Sequence, residues 1–324
     1  MPPKTLLTAD LHLSDNTRDA YRWEIFPWLI KQIELHKIER AILLGDITEY
    51  KDGHSAYLVN RIVDTLVELG GYCDVVILRG NHDGLTPDCP FFKFTGELKH
   101  ITWISSPLRI GRELFLPHTD NYKQDWANIN FDADTFFCHQ TFIGAAAESG
   151  SQLAGVPLDI IPPNIRVFSG DIHKPQQLGS VTYVGAPYTI RFGDDYDPRI
   201  IILQGKKATS IPVPGVRKRL LNITSPAQLK PDVANPGDLV KVRVHLDTTK
   251  DSWDIWRAEI ADILKQNKWK SCGILPVDER LISRVKPQTS PTITDKDLMH
   301  EFADRQGLNE IRLKIGMEFV DEGN

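Results

Sequence analysis

Asp10 and His12 stand two residues apart at the end of the apolar run "KTLLTADLH", a spacing that turns both side chains to one face of a strand. The same design recurs along the chain. "RAILLGD" ends at Gly45-Asp46 and "DVVILRGNHD" at Gly80-Asn81-His82-Asp83; "ADTFFCHQ" ends at His139 and "IRVFSGDIH" at Gly170-Asp171 and His173. Carboxylate, imidazole and amide-oxygen donors without thiolates suit divalent metal ions of hard or borderline character, Mn²⁺ or Fe²⁺ ahead of a structural zinc. Two such ions roughly 3.5–4 Å apart can clamp the attacking and leaving oxygens of an in-line displacement at phosphorus. Taken singly, Asp10 could be a turn former and His139 a satisfied, half-buried histidine. It is the ordered set that carries weight.

The segments between these strand ends must bring them together. "RDAYRWEIFPWLIKQIELHK" and "HSAYLVNRIVDTLVELG" carry apolar residues at helical spacing, with Pro27 expected to bend or interrupt the first and Gly70-Gly71 to stop the second. Strand, helix, strand, helix, strand predicts a parallel sheet with right-handed crossovers. The carboxyl ends of such strands form one crevice, where ligands bind. Beyond about residue 100 the pattern turns to short strands, with "GSVTYVGAP" and "PRIIILQGKKATSIPV" reading as hairpin or meander strands. A second, mixed sheet packed on the first is expected.

The stretch 217–237 is rich in proline and turn residues and reads as a linker between a domain over 1–216 and a smaller one over 238–324. In the latter, "LVKVRVHLD" alternates like a strand and "SCGILPVDE" could be another. "SWDIWRAEIADILKQNKW" reads as a helix capped by Asp251 or Ser252, with Trp253 and Trp256 in the small core; Thr294 or Asp295 could open a further helix that ends at Gly307.

With 324 residues, 41% hydrophobic and 25% charged, the composition is that of a globular chain with a sizeable core. A net charge of −5 argues against a globally basic nucleic-acid coat but leaves room for a local basic groove. Cys73, Cys89, Cys138 and Cys272 are scattered without a C-x-x-C pair, as expected of free thiols in a reducing compartment. The N-terminal apolar run is too short for a signal peptide, and no stretch approaches the roughly 18 apolar residues of a membrane span. The expectation is a soluble cytoplasmic protein.

The order Asp-x-His, Gly-Asp, Gly-Asn-His-Asp, His, Gly-Asp-x-His resembles the calcineurin-like metallophosphoesterases. "TADLHLSD", "GDITEY", "LRGNHD" and "YVGAPYTIRFGDD" are closer to the Mre11/SbcD DNA-nuclease branch than to the protein phosphatases, and a short, phage-type member fits the length. The resemblance implies an α/β fold, a two-sheet sandwich flanked by helices, with a small C-terminal α+β capping domain. It implies Asp10, His12, Asp46 and His173 around one ion, and Asp46, Asn81, His139 and Asp171 around the other, with Mn²⁺ foremost and Mg²⁺ or Fe²⁺ as alternatives. A water activated between the ions would be the nucleophile. His82 would stabilise the developing charge and protonate the leaving oxygen, with Asp83 holding its loop.

At position 171 the branch's pattern has a histidine. An aspartate there still offers an oxygen, and the three carboxylates Asp10, Asp46 and Asp171 against two divalent ions leave a single positive charge before hydroxide binds. The exchange should favour Mn²⁺ or Mg²⁺ over Zn²⁺.

Glu49, His54, Tyr188 and Arg191 are candidates for substrate contact, although Glu49 and His54 read equally as solvated loop residues and Tyr188 as packing. His118 reads as structural, and His36, His100, His245 and His300 as surface. "VRKRL" (216–220) and "GKK" (205–207) are solvated faces by default, or contacts to a phosphate backbone.

The function expected is a Mn²⁺-dependent exo/endonuclease acting on DNA in recombination, repair or replication. The alternatives are a phosphodiesterase or phosphatase for small nucleotide substrates, which would share every ligand, and a non-enzymatic scaffold, against which the retained His82 argues. The resemblance also implies an SMC-like ATPase partner of the Rad50/SbcC type. Docking could use the 294–306 helix, and a homodimer could form through 21–35 and 55–69. For a phage-encoded chain the compartment would be the host cytoplasm.

Overall fold

The computed structural model describes residues 2–147, 150–246 and 250–278. The expected parallel sheet is built by β1 (Thr5–Thr8), β2 (Arg40–Leu43), β3 (Asp74–Leu78) and β4 (Ile101–Ile104), adjacent in sequence order. The crossovers are α1 (Ile25–His36), preceded by a 3₁₀ segment over Thr17–Glu24, and α2 (Ala56–Gly70). Pro27 does not break α1. It lies in the first turn, where its missing N–H leaves no intrahelical bond unmade, and the irregularity falls upstream in the 3₁₀ segment. Ser55 caps α2 by accepting the Leu58 N–H at 3.1 Å, and Leu58, Ile62, Leu66 and Leu69 form its buried stripe.

A second sheet holds β5 (Leu108–Ile110), β6 (Glu113–Leu116), β7 (Thr135–His139), β8 (Arg166–Gly170), β9 (Gln176–Leu178) and β10 (Val181–Tyr183) in the order β5-β6-β7-β8-β10-β9. It is mixed, with β6, β7, β8 and β10 parallel and hairpin strands at both edges. A one-turn helix α3 (Tyr122–Asp125) lies between β6 and β7. The hairpin β11 (Arg199–Gln204) and β12 (Lys207–Pro212) returns to the first sheet, where β11 pairs antiparallel with β1.

Strand periodicity explains the layering. Leu7, Ile42, Val76 and Leu78 face Phe115, Phe137 and Phe168 across the two sheets, while their neighbours Leu6, Ala41, Leu43, Val75 and Ile77 pack against α1 and α2. The outer face of the second sheet, including Leu114, Phe136 and Val167, is covered by Trp126, Phe142 and Ile161. This is the two-sheet sandwich flanked by helices that the strand pattern called for.

The stretch expected as a linker contains a strand, β13 (Lys218–Ile223). It pairs in parallel with β14 (Leu239–Leu246), which pairs in parallel with β15 (Lys270–Asp278); α4 (Lys250–Gln266) crosses between the last two. Proline density hid it, because the prolines sit in the 3₁₀ turns Pro226–Gln228 and Pro231–Val233 that follow. Helix α4 begins ahead of Asp251 and Ser252, so neither precedes it as a cap. Val240, Val242, Val244, Ile260, Leu264 and Trp269 form this module's core, with Trp253 and Trp256 packed against it. The expected helix at 294–306, and the ATPase docking placed on it, lie outside the described residues. Among the described residues no helix is long and apolar enough to cross a membrane. All four cysteines are free thiols.

Candidate metal centre

The carboxyl ends of β1, β2 and β3 continue into one another beyond the regular strands. Asp10 N donates to Gly45 O at 3.1 Å, His12 N to Asp46 O at 2.9 Å and Leu13 N to Ile47 O at 2.8 Å. This pairing holds Asp10, His12 and Asp46 in left-handed backbone, with φ of 54°, 43° and 56°, and Asp171 joins them at 78°. Non-glycine residues rarely adopt that region, and its clustering at four acidic or imidazole positions marks a functional site.

The glycines of these motifs answer to close approach. A Cβ on Gly80 would stand 2.2 Å from Asp46 Oδ1, and one on Gly45, where φ is +91°, would stand 2.3 Å from His139 Nδ1. Both turns must be bare for the side chains to converge.

Asp46 lies at the centre. Its Oδ2 is 3.5 Å from His12 Nε2 and its Oδ1 is 3.4 Å from His139 Nε2. Donor atoms of Asp10, His12 and His173 fall within 4.8 Å of one another, as do those of Asp10, Asp46 and His139, and those of His12, Asp46 and His82. His173 Nε2 meets His12 Nε2 at 3.1 Å, and Asn81 Oδ1 meets His139 Nε2 at 3.0 Å. His139 Nδ1 donates to Leu44 O at 2.5 Å, which fixes the tautomer and turns the Nε2 lone pair inward. Asp171 sits at the rim. Its N–H donates to Asp10 Oδ1 at 3.0 Å, its Oδ2 accepts the Thr141 hydroxyl, and its Oδ1 is 3.8 Å from His139 Nε2.

These residues fit divalent cations. Asp10 is fully buried, yet its Oδ2 has no hydrogen-bond partner. The Asn81 amide reaches His139 Nε2 and both Asp46 oxygens. Turned to present its NH₂ it makes three hydrogen bonds of 3.0–3.2 Å; presenting its oxygen instead, it needs a cation among the acceptors. Burial, with the Asp46 and Asp171 charges adding to it, pushes the Asp10 carboxyl up. Burial also opposes ionisation of Asp46, but His139, His12 and His82 outweigh it and hold that carboxyl below the usual range. Burial and the neighbouring His173, His82 and Arg22 hold His12 well below its usual value, against the pull of Asp46. A neutral His12 is a metal ligand, and a divalent charge would relieve the repulsion among the carboxylates.

His82 stands at the half-buried edge, its ring 4.9 Å from that of His12. Its Nδ1 donates to Glu49 O at 2.7 Å and its N–H to Asp46 Oδ1 at 2.8 Å. Asp83 is buried beneath, accepting the N–H groups of Asp46 (2.9 Å), Ile47 (2.9 Å) and Gly80 (2.7 Å). Burial and the Asp46 charge push its carboxyl up to about 6, against the pull of those N–H groups.

The substrate candidates are dispersed. Tyr188 is buried with its hydroxyl given to Leu11 O, so it braces the Asp10 loop from below instead of facing the crevice. The Glu49 carboxylate is paired with Arg22 at 3.0 Å. His54 hydrogen-bonds Thr48 Oγ1 at 2.8 Å and packs on Phe91, while Arg191 is exposed. Lys218, read as solvated, is buried and paired with Asp19 at 2.8 Å. His118 stands nearer the centre than its sequence context suggests, its ring 6.1 Å from that of His139. Arg22 and Thr141 escaped the sequence reading. The one signal for Arg22 was its place between Tyr21 and Trp23 on a predicted buried face.

Residues 3–202, which carry this constellation, match the model of the calcineurin-like phosphoesterase family. The chain belongs to that family. This phosphoesterase is a metal-dependent hydrolase, and the clustered donors imply divalent ions. It is 32% identical to SbcD, the nuclease subunit of SbcCD, from Escherichia coli strain K12, over 98% of this chain and 94% of that protein, and equally to its counterpart from strain O157:H7. Two solved structures overlap it at low similarity. Pseudomonas putida nuclease MPE has a TM-score of 0.32 and 16% identity, covering 66% of this chain and 78% of that one. A dimetal phosphatase from Danio rerio has a TM-score of 0.37 and 11% identity, covering 65% of this chain and 100% of that one. At those scores neither bears on the site.

Proposed function

We propose that this phosphoesterase is a two-metal, Mn²⁺-dependent DNA nuclease, working with an SMC-like ATPase in the cytoplasm on recombination, repair or replication intermediates. The observation that carries the nuclease reading is the extent of the likeness to SbcD. It runs past the residues 3–202 that the phosphoesterase family accounts for and takes in the β13–β15 module. Arg191, exposed near the junction with that module, is the candidate DNA contact.

Asp10, His12, Asp46 and His173 would hold one cation, and Asp46, Asn81, His139 and Asp171 the other. When bound, such a pair supplies Lewis acidity, activating water and offsetting charge on the phosphoryl group. His82 has Nδ1 committed to the Glu49 carbonyl, so Nε2 is the ring position left to deliver a proton to the leaving oxygen. Asp83 keeps that geometry by tying the turns after β2 and β3 to one carboxylate.

Wild type and His82→Ala are compared with Mn²⁺, Mg²⁺ or Zn²⁺ on linear duplex DNA, single-stranded DNA and bis-p-nitrophenyl phosphate. The expected result is Mn²⁺-supported DNA cleavage by wild type. The variant keeps its metals and loses turnover by about 10²–10⁴-fold, the range for removing a general acid. Cleavage of the small ester alone would put a small-substrate phosphodiesterase in place of the nuclease.

A further inference from the structure

Arg22 carries a fixed positive charge at 2% exposure, one layer behind the metal centre, where neither ligation nor DNA contact employs it. Burying a guanidinium is costly unless its donors are spent on partners, so those partners show what it is for. One is the backbone carbonyl of His12, and Nη1 also donates to Glu49 Oε2 at 3.0 Å. Nη2 pairs with Asp19 Oδ1 at 3.1 Å and reaches Ile190 O at 3.5 Å. One side chain thereby ties the loop after β1 to the loop after β2 and to the 189–191 segment.

Glu49 is the consequential partner. Its carboxylate is held by Arg22, and its main-chain carbonyl accepts from His82 Nδ1 at 2.7 Å. A carbonyl can only accept, so this contact requires the proton on Nδ1 and frees Nε2. The chain of contacts also runs outward. Asp19 Oδ1, shared with Arg22, accepts from Lys218 Nζ at 2.8 Å; Lys218 opens β13, and its backbone N–H donates to Thr189 Oγ1 at 2.6 Å.

We propose that Arg22 is a positioning residue for His82, acting through Glu49, and that Lys218 makes this setting depend on how the β13–β15 module is seated. The inference rests on the role of His82 given above and is independent of whether the substrate is DNA. Misplacing a reacting group by about 1 Å can lower turnover on the order of 10²-fold, so a relay of this kind need not touch substrate to matter.

The test is a double-mutant cycle on the full chain with saturating Mn²⁺ and bis-p-nitrophenyl phosphate as the probe. Arg22→Lys keeps the charge but not the fork, and should lower kcat about 10–100-fold with KM within about twofold. Lys218→Met, which keeps the apolar stem, should lower kcat by about 3–10-fold. In the His82→Ala background both changes should cost almost nothing further, because they act through the missing ring. Mn²⁺ affinity by calorimetry should stay within about threefold of wild type. The ¹⁵N imidazole spectrum of the metal-free protein should show His82 in the Nδ1–H form in wild type and as mixed tautomers in Arg22→Lys. Losses that multiply in the double variants, unchanged kcat, or a large loss of metal affinity with kcat intact would each overturn the proposal. Should Arg22→Lys fail to fold, the Lys218→Met cycle decides alone. A wild type that cuts the ester and no DNA, with the cycle as expected, removes the nuclease reading and leaves this one standing.

Discussion

Thr141 donates its hydroxyl to Oδ2 of Asp171 at 2.5 Å. One oxygen of the aspartate at the position where an imidazole is expected is thereby occupied, and Oδ1 is left on the side of His139. Thr141→Val should lower Mn²⁺ affinity by about 10-fold, within the range for losing an outer hydrogen bond to a ligand. Asp171→His should shift preference toward Zn²⁺. Calorimetric titration of both variants with each metal checks the pair, and unchanged affinities would remove Asp171 from the centre.

Gly80 is set by contact. A Cβ there meets Asp46 Oδ1 at 2.2 Å and Asp46 N at 2.5 Å, both in a turn pinned by Asp83. Gly80→Ala should therefore displace Asp46, costing about 1–3 kcal/mol of stability as overpacking does. It should also weaken metal binding by at least about 10-fold. Thermal unfolding and metal titration read the two effects separately.

Asp83 accepts three backbone N–H groups from two turns. Asparagine has one oxygen, and its NH₂ would face donors. Asp83→Asn should cost about 2–3 kcal/mol, the scale for hydrogen bonds to a charged group left unmade. Chemical denaturation measures the loss, and a variant as stable as wild type would contradict the assignment.

His54 gives a pH dependence away from the metal ligands. Burial against Phe91 and Phe92 lowers its pKa, so between the unfolded value near 6.5 and the lower folded one the unfolded chain takes up a proton that the folded chain refuses. The stability tied to this ring is complete above the unfolded pKa and is lost as pH falls through the folded one. His54→Gln removes that slope. Melting of wild type should fall relative to the variant from pH 7 to pH 5, and parallel curves would contradict the assignment.

The ligands were legible because each ends a short apolar strand, and parallel strands deliver their carboxyl ends to one place. His139 and His173 could be placed from opposite ends of that logic although they lie in the second sheet. What sequence hid were buried polar groups that look like surface ones. Lys218 sits in a run of basic residues and Arg22 in a polar 3₁₀ segment, yet each is buried because a partner far along the chain neutralises it. Tyr188 reads as a loop aromatic near the substrate, and only the tertiary fold shows its hydroxyl spent on Leu11 O. Strand β13 was masked by the prolines after it, and β11 and β12 by hairpin signals that do not say which sheet they join.

The central claim is that two cations lie side by side, sharing the Asp46 carboxylate. Anomalous scattering from crystals soaked in Mn²⁺ tests it most directly. The account predicts two peaks about 3.5–4 Å apart, one beside His12 and His173 and the other beside Asn81 and His139, with Asp46 in coordination range of both. No peak at Asp46, or a single peak with the second ligand set empty at saturating metal, would contradict it.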